Sequence, residues 1–89
     1  MLTETITIIN KRGLHARAAA KFATLSAQFG CRTQARTNGS WVDAKSVMSL
    51  MLLAATQGTN LEVSTDGDDE TQAMDTIRAL INNRFEEDE

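Results

Sequence analysis

The chain has few of the residues that cross-link small proteins. Its 89 residues include one Cys, one His and no Pro. A disulfide needs two cysteines and a structural zinc site needs four ligands, so neither forms within a single chain. We therefore predict one domain over residues 1–89, stabilised by its apolar core, with no metal and no other cofactor.

Aromatic residues and long apolar runs are also scarce. Three Phe, one Trp and no Tyr offer few surfaces on which bases could stack, which argues against nucleic-acid binding. No apolar run approaches the roughly 20 residues of a membrane-spanning helix, and the first residues lack the basic flank and apolar core of a secretory signal. We expect no membrane insertion and a cytoplasmic location.

The charges are divided unevenly along the chain. Residues 1–50 carry a net charge of +5, whereas residues 51–89 carry −8. The basic half suits a phosphate or an acidic protein partner, and the acidic half would repel nucleic acid. Residues 86–89, the acidic tail, are all Asp or Glu, and we predict that they are disordered.

Alternation of apolar and polar residues predicts strands at residues 2–9, 31–36, 40–43 and 61–64, with a hairpin at Asn38-Gly39. Helices are predicted from residue 16 to a cap at Gly30, from Val47 after a cap at Ser46 to Gly58, and from a capping box at Asp69 to about residue 83. The order is βαββαβα. It indicates an α+β fold in which three helices cover one face of a mainly antiparallel four-stranded sheet.

His15 is the only imidazole and lies at the junction of a loop and a helix. The amino terminus of a helix has unpaired amides and a positive dipole, so it favours an anion such as phosphate. Arg17 and Lys21 add positive charge nearby, and Gly13 allows the loop to bend. The alternative interpretation is that His15 merely begins the helix and faces solvent.

A wider pattern surrounds this histidine. Residues 13–22 read GLHARAAAKF, Asn38-Gly39 follows, and residues 44–48 read AKSVM. These segments and their spacing resemble the HPr family of histidine-containing phosphocarrier proteins over nearly the whole chain. The resemblance implies an open-faced β-sandwich. It also implies that His15 accepts a phosphoryl group from enzyme I and passes it to an enzyme IIA-type acceptor, with Arg17 contacting that group.

On this interpretation the chain is a phosphoryl carrier of the phosphotransferase system rather than a stand-alone enzyme, and we expect a monomer. The resemblance also implies a docking surface for both partners. This surface has an apolar centre ringed by basic side chains: Ala20, Val47, Met48 and Met51, ringed by Arg17, Lys21 and Lys45. The alternative is that Val47, Leu50, Met51 and Leu53 are core residues, which we prefer for Leu50 and Leu53.

Ser46 corresponds to a regulatory site that an HPr kinase modifies in some family members. A phosphate is favourable at a helix amino terminus, and its charge beside Met48 would impair apolar docking. Ser46 equally suits a simple helix cap. A second functional hypothesis is therefore an interaction protein controlled mainly through Ser46.

The chain departs from the family pattern in two ways. Ala18 replaces the usual Pro in the first helical turn, which should loosen the helix start slightly. Thr24, Ala27 and Ser49 occupy positions where sugar-transport members tend to carry Lys or Arg. This thinner basic rim and the acidic tail resemble the nitrogen-related branch, in which the carrier phosphorylates a regulatory enzyme IIA.

A third hypothesis is a stand-alone enzyme with Cys31 or His15 as nucleophile. The chain has no second histidine that could activate Cys31. We therefore expect Cys31 to be a small buried residue.

Overall fold

A computed structural model describes residues 1–89 and confirms the predicted order of elements. The strands are β1 (Leu2–Thr7), β2 (Arg32–Arg36), β3 (Val42–Asp43) and β4 (Asn60–Asp66). The helices are α1 (Ala16–Ala27), α2 (Val47–Met51) and α3 (Glu70–Asn82), followed by a short turn at Arg84–Glu86. No helix combines the length and the apolar character needed to cross a membrane.

The four strands form one antiparallel sheet in the order β1-β4-β2-β3. β1 and β4 pair over six residues, from Leu2 opposite Thr65 to Thr7 opposite Asn60. The hairpin predicted at Asn38-Gly39 joins β2 to β3. β3 has only two residues in place of the four predicted, and it pairs with β2 through Val42 and Asp43.

The core lies between the sheet and its three helices. The alternation of β1 directs Ile6 inward, while Thr5 and Thr7 remain exposed. Ile8, directly after the strand, is fully buried. Helix α3 contributes the apolar stripe that its spacing predicts. Its fully buried members are Ala73, Met74, Ile77 and Ile81.

Two details of the predicted helix ends differ in the structure. Helix α1 ends at Ala27 with its cap at Gln28, so the cap predicted at Gly30 is wrong. Asp69 precedes α3 in the cap position, as predicted, but its side chain forms no capping box. Its two oxygens instead accept the N–H groups of Gly30 at 2.9 Å and Cys31 at 3.0 Å. These bonds hold the residues before β2 against the start of α3.

Helix α2 is also shorter than predicted, ending at Met51 rather than near Gly58. The amides of Leu53 and Ala54 bond to carbonyls three residues earlier, and Ala54 has a φ of 50°. This left-handed residue turns the chain away from the helix axis. The following loop returns toward the start of α1.

The acidic tail, for which the composition predicts disorder, makes defined contacts in the structure. Phe85, just before it, is fully buried in the core and fixes the chain at that point. The Lys21 Nζ donates to the Phe85 carbonyl at 3.0 Å, and the Lys11 amide donates to the carbonyl of Glu89. These contacts lay the tail across the loop that precedes α1.

Candidate functional site

The loop before α1 is shaped by Gly13. Its φ is +68°, and a Cβ at this position would lie 2.6 Å from the carbonyl oxygen of Ala55. That carbonyl accepts the amide of Leu14 at 2.8 Å. Only glycine combines this backbone conformation with such a close approach. The loop is thereby packed on the one after α2, and it presents His15 at the start of α1.

His15 is the amino-terminal cap of α1. Its backbone is extended, with a ψ of 178°, and its ring Nδ1 accepts the amide of Arg17 at 3.3 Å. The imidazole is largely enclosed, with 16% of the side chain exposed. The expectation that His15 begins the helix is confirmed, whereas the alternative in which the ring faces solvent is wrong.

The other ring nitrogen of His15, Nε2, contacts the carboxylate of Glu87 in the acidic tail. The second oxygen of that carboxylate accepts a hydrogen bond from Nδ2 of the fully buried Asn10 at 3.0 Å. The same amide nitrogen donates to the Gly13 carbonyl at 2.8 Å. Asn10 therefore couples the tail to the loop that carries His15.

The environment of Glu87 favours its charged form. Burial alone would raise the pKa of Glu87, but the hydrogen bonds from Asn10 and His15 and the positive charge of Arg12 outweigh it. The pKa of this carboxyl therefore lies below its ordinary value. At neutral pH His15 faces a carboxylate anion.

A polar pocket of about 320 Å³ lies beside this pair. Its lining combines three cations with the acidic tail: Arg12, Arg17, Lys21 and residues 86–89. The Lys21 Nζ lies 3.8 Å from Oε1 of Glu86. The pocket thus brings Arg17 and Lys21 together with Glu87, the residue that contacts His15. The charges of the cations are partly balanced by the tail.

The predicted docking surface is partly apolar and exposed. Met48 is 79% exposed and Met51 45%, whereas Leu50 is fully buried. Val47 and Leu53 are partly buried against the core. The core assignment is therefore right for Leu50 and wrong for Met51.

Helix α2 runs antiparallel to α1, and this places the remaining predicted residues. The Lys45 Nζ, just before α2, donates to the carbonyl of Phe29 beyond the carboxyl end of α1, at 2.8 Å. The loop after α2 instead touches the start of α1. Ala20, half-buried, lies on α1 between these ends. Lys45 and Ser46 are therefore at the far end of α1 from His15.

Ser46 caps α2, as predicted. Its Oγ accepts the amide of Ser49 at 3.2 Å, and the side chain is part-buried. The position is compatible with a structural cap, and its modification remains a prediction.

Cys31 is buried, as expected. Burial raises the pKa of its thiol, the largest of several effects, and disfavours the thiolate that a nucleophile needs. Its Sγ lies 3.7 Å from the Thr33 hydroxyl. Cys31 therefore fits the core rather than an active site.

Sequence reasoning missed three residues of this region. Glu87 and Asn10 contact each other across 77 positions, a distance over which no local pattern carries information. Leu52 is 81% exposed and adds a third exposed apolar side chain to those of Met48 and Met51. The apolar run from Leu50 to Leu53 was the available signal for Leu52, because such a run cannot face inward throughout on a short helix.

The chain is similar to known proteins over nearly its whole length. The family model described as the PTS HPr component phosphorylation site matches residues 2–83. The chain belongs to the HPr family. Phosphocarrier protein HPr of Pseudomonas aeruginosa is 52% identical over 85 residues, or 94% of each chain. HPr of Cupriavidus necator is 52% identical over 89 residues and the full length of both chains.

The solved structures agree with this assignment. The crystal structure of HPr-C-His from Thermoanaerobacter tengcongensis superposes with a TM-score of 0.95, at 38% identity and full coverage of both chains. The chain is thus an HPr-type phosphocarrier of the phosphotransferase system. Family membership implies partners such as enzyme I and an enzyme IIA.

Proposed function

We propose that His15 is the residue that accepts the phosphoryl group from enzyme I and passes it to an enzyme IIA-type acceptor. The observation that carries this proposal is the position of Nδ1 at the amino terminus of α1, 3.3 Å from the amide of Arg17. A phosphoryl group bonded to Nδ1 would meet the unpaired amides of the first turn and the positive end of the helix dipole.

Arg17 is the second residue of this proposed site. Its side chain is exposed and lines the polar pocket, so it is free to follow a phosphoryl group that arrives with a partner protein. A planar guanidinium pairs two of its N–H groups with two phosphoryl oxygens. Lys21 adds charge to the same pocket, although Glu86 partly balances it.

The experiment is intact-mass spectrometry after incubation with phosphoenolpyruvate and enzyme I. The wild type should gain one phosphate that is lost in mild acid, and His15→Ala should gain none. Circular dichroism of both proteins shows whether the variant is folded. Phosphorylation of a folded His15→Ala protein at the wild-type rate would contradict the proposal.

The docking surface is proposed to centre on Ala20, Val47, Met48 and Met51, with Arg17, Lys21 and Lys45 around it. The exposure of Met48 and Met51 supports the apolar centre, because flexible methionines adapt to several partners in turn. Met48→Asp should weaken transfer to the acceptor without changing the fold. Equal transfer rates for Met48→Asp and the wild type would remove Met48 from the surface.

Two further proposals concern the oligomeric state and the location of the protein. Because His15, Arg17 and Lys21 all come from one chain, the site needs no second copy, and we propose a monomer. Membership of the phosphotransferase system supports a cytoplasmic location.

Exposed Thr24 and Ala27, where sugar-transport members tend to carry basic residues, support the nitrogen-related branch. Faster transfer to a sugar-type enzyme IIA than to a nitrogen-regulatory one would contradict that branch.

Regulation through Ser46 by an HPr kinase is a further part of the proposal. Ser46 lies directly before α2, and Met48 is exposed one residue into that helix, so a phosphate on Ser46 would place charge at the docking surface. Ser46→Asp should weaken binding of the acceptor. Unchanged affinity would argue that Ser46 is only a cap.

A further inference from the structure

Glu87 has a specific relation to the ring of His15. Its carboxylate contacts Nε2, and both side chains are largely enclosed, with 15% of Glu87 and 16% of His15 exposed. An ionised carboxylate only accepts hydrogen bonds, so a neutral ring must keep its proton on Nε2. The lone pair is then on Nδ1, which faces the first turn of α1.

The chain reaches this position through an unusual turn. Arg84, Phe85 and Glu86 have φ values of 56°, 52° and 66°, a left-handed conformation that residues other than glycine rarely adopt. Such strain persists only where the surroundings enforce it, and it concentrates at functional sites. Here the burial of Phe85 enforces it. The turn ends directly before Glu87.

Glu87 does not occupy the place of the phosphoryl group. Its hydrogen bonds go to Asn10 and to the Nε2 side of His15, whereas the first amides of α1 lie on the Nδ1 side. An anion that merely competed with phosphate would bind those amides. Glu87 therefore contacts the ring opposite to the proposed point of attack.

We propose that Glu87 is a positioning residue for phosphoryl transfer at His15, oriented in turn by Asn10. The inference rests on the proposed role of His15. In the acceptance step the Nδ1 lone pair forms the new N–P bond. The bond between phosphorus and its donor atom in enzyme I breaks, and its electron pair leaves with that atom. The proton stays on Nε2, so the ring gains a positive charge.

The carboxylate of Glu87 stabilises this developing charge, as the orienting carboxylate of a hydrolase triad stabilises its imidazolium. The return step is the reverse at the same nitrogen. A nucleophilic atom of the enzyme IIA-type acceptor forms the new bond to phosphorus as the N–P bond breaks. The electrons of that bond return to Nδ1, and the ring becomes neutral with its Nε2 proton retained. A ring that stays protonated on Nε2 is a better leaving group, so Glu87 assists both acceptance and delivery.

The test uses steady-state phosphorylation of the full chain by enzyme I, with Glu87→Gln, Glu87→Ala and Asp68→Asn. Asp68→Asn is the control for charge, because Asp68 is exposed and does not line the polar pocket. Its neighbour Asp69 bonds to Gly30, beyond the carboxyl end of α1. We expect kcat to fall about tenfold in both Glu87 variants with KM nearly unchanged, as for other partners that orient a reactive group. Asp68→Asn should behave as the wild type.

Nuclear magnetic resonance of protein labelled with ¹⁵N at histidine distinguishes positioning of the His15 ring from the effect of the Glu87 charge. The wild type and Glu87→Gln, which keeps an acceptor oxygen, should show a slowly exchanging Nε2 proton. Glu87→Ala should lose that signal. A change in KM alone, a faster reaction, or equal rates for Glu87→Gln and Asp68→Asn would overturn the inference. Absence of phosphate from His15 in the wild type would instead overturn the proposed function.

Discussion

Replacing Gly13 by Ala tests how the loop presents His15. The new Cβ would lie 2.6 Å from the Ala55 carbonyl oxygen and 2.9 Å from Cα of Thr56, both backbone atoms that cannot rotate away. Gly30→Ala is the matched control, because a Cβ there meets nothing within 4 Å and its backbone is not left-handed.

The magnitude follows from the difference between the two variants. Each gains about 0.4–1 kcal/mol by restricting the unfolded chain, and this contribution cancels in the comparison. Only Gly13→Ala holds a side chain at positive φ, which costs about 1–2 kcal/mol. Displacing the Ala55 carbonyl from the Leu14 amide costs about 1 kcal/mol more. Gly13→Ala should therefore be about 2–3 kcal/mol less stable than Gly30→Ala.

Urea unfolding followed by circular dichroism measures this difference. Similar slopes with denaturant would show that the two transitions are comparable. Gly13→Ala should also accept phosphate more slowly, because the loop that carries His15 must shift. Equal unfolding free energies for Gly13→Ala and Gly30→Ala would refute the described packing of this loop.

Three further predictions concern other parts of the fold. Phe85→Ala should lower the free energy of unfolding by about 2 kcal/mol. This is less than the roughly 3–5 kcal/mol lost with a buried Phe, because the variant also relieves the strain of the left-handed turn. An unchanged free energy in urea unfolding would mean that Phe85 does not anchor the tail. Ser46→Ala should cost about 1 kcal/mol by removing a cap, whereas Ser46→Asp should retain stability, and the reverse order in thermal unfolding would contradict the cap. The hydrogen bond from the Gly30 amide is the main reason that the pKa of Asp69 is lowered. The stability that the Asp69 carboxylate contributes is therefore present above its unfolded pKa and is lost as pH falls through its folded pKa. The destabilisation by Asp69→Ala should shrink in acid, and a loss of stability that does not change with pH would contradict this role of Asp69.

The order of elements was predictable because its signals are local. Alternation over four to eight residues identified β1, β2 and β4, and the apolar spacing of α3 identified its buried face. The capping box at Asp69 was wrong for a physical reason. Asp suits such a box by its chemistry, but the Asp69 carboxylate bonds to amides 38 and 39 positions away. Propensity reflects only neighbouring residues in the sequence, so it does not reveal a bond to amides this far away.

The candidate site was predictable only in part. His15 and Arg17 lie within one motif, whereas Glu87 reaches His15 across 72 positions. The composition of residues 86–89 indicated disorder because four consecutive acidic residues repel one another. One signal pointed the other way. Phe85 follows Ile77 and Ile81 at intervals of four, so it continues the buried stripe of α3.

The proposed site carries phosphate on Nδ1 of His15 while Nε2 keeps its proton toward Glu87. Long-range ¹H–¹⁵N correlation of the phosphorylated protein, labelled with ¹⁵N at its single histidine, tests this most directly. We expect phosphorus coupling to Nδ1 and a proton on Nε2. Phosphorus coupling to Nε2, or a phosphorylated protein whose histidine is unchanged, would contradict it.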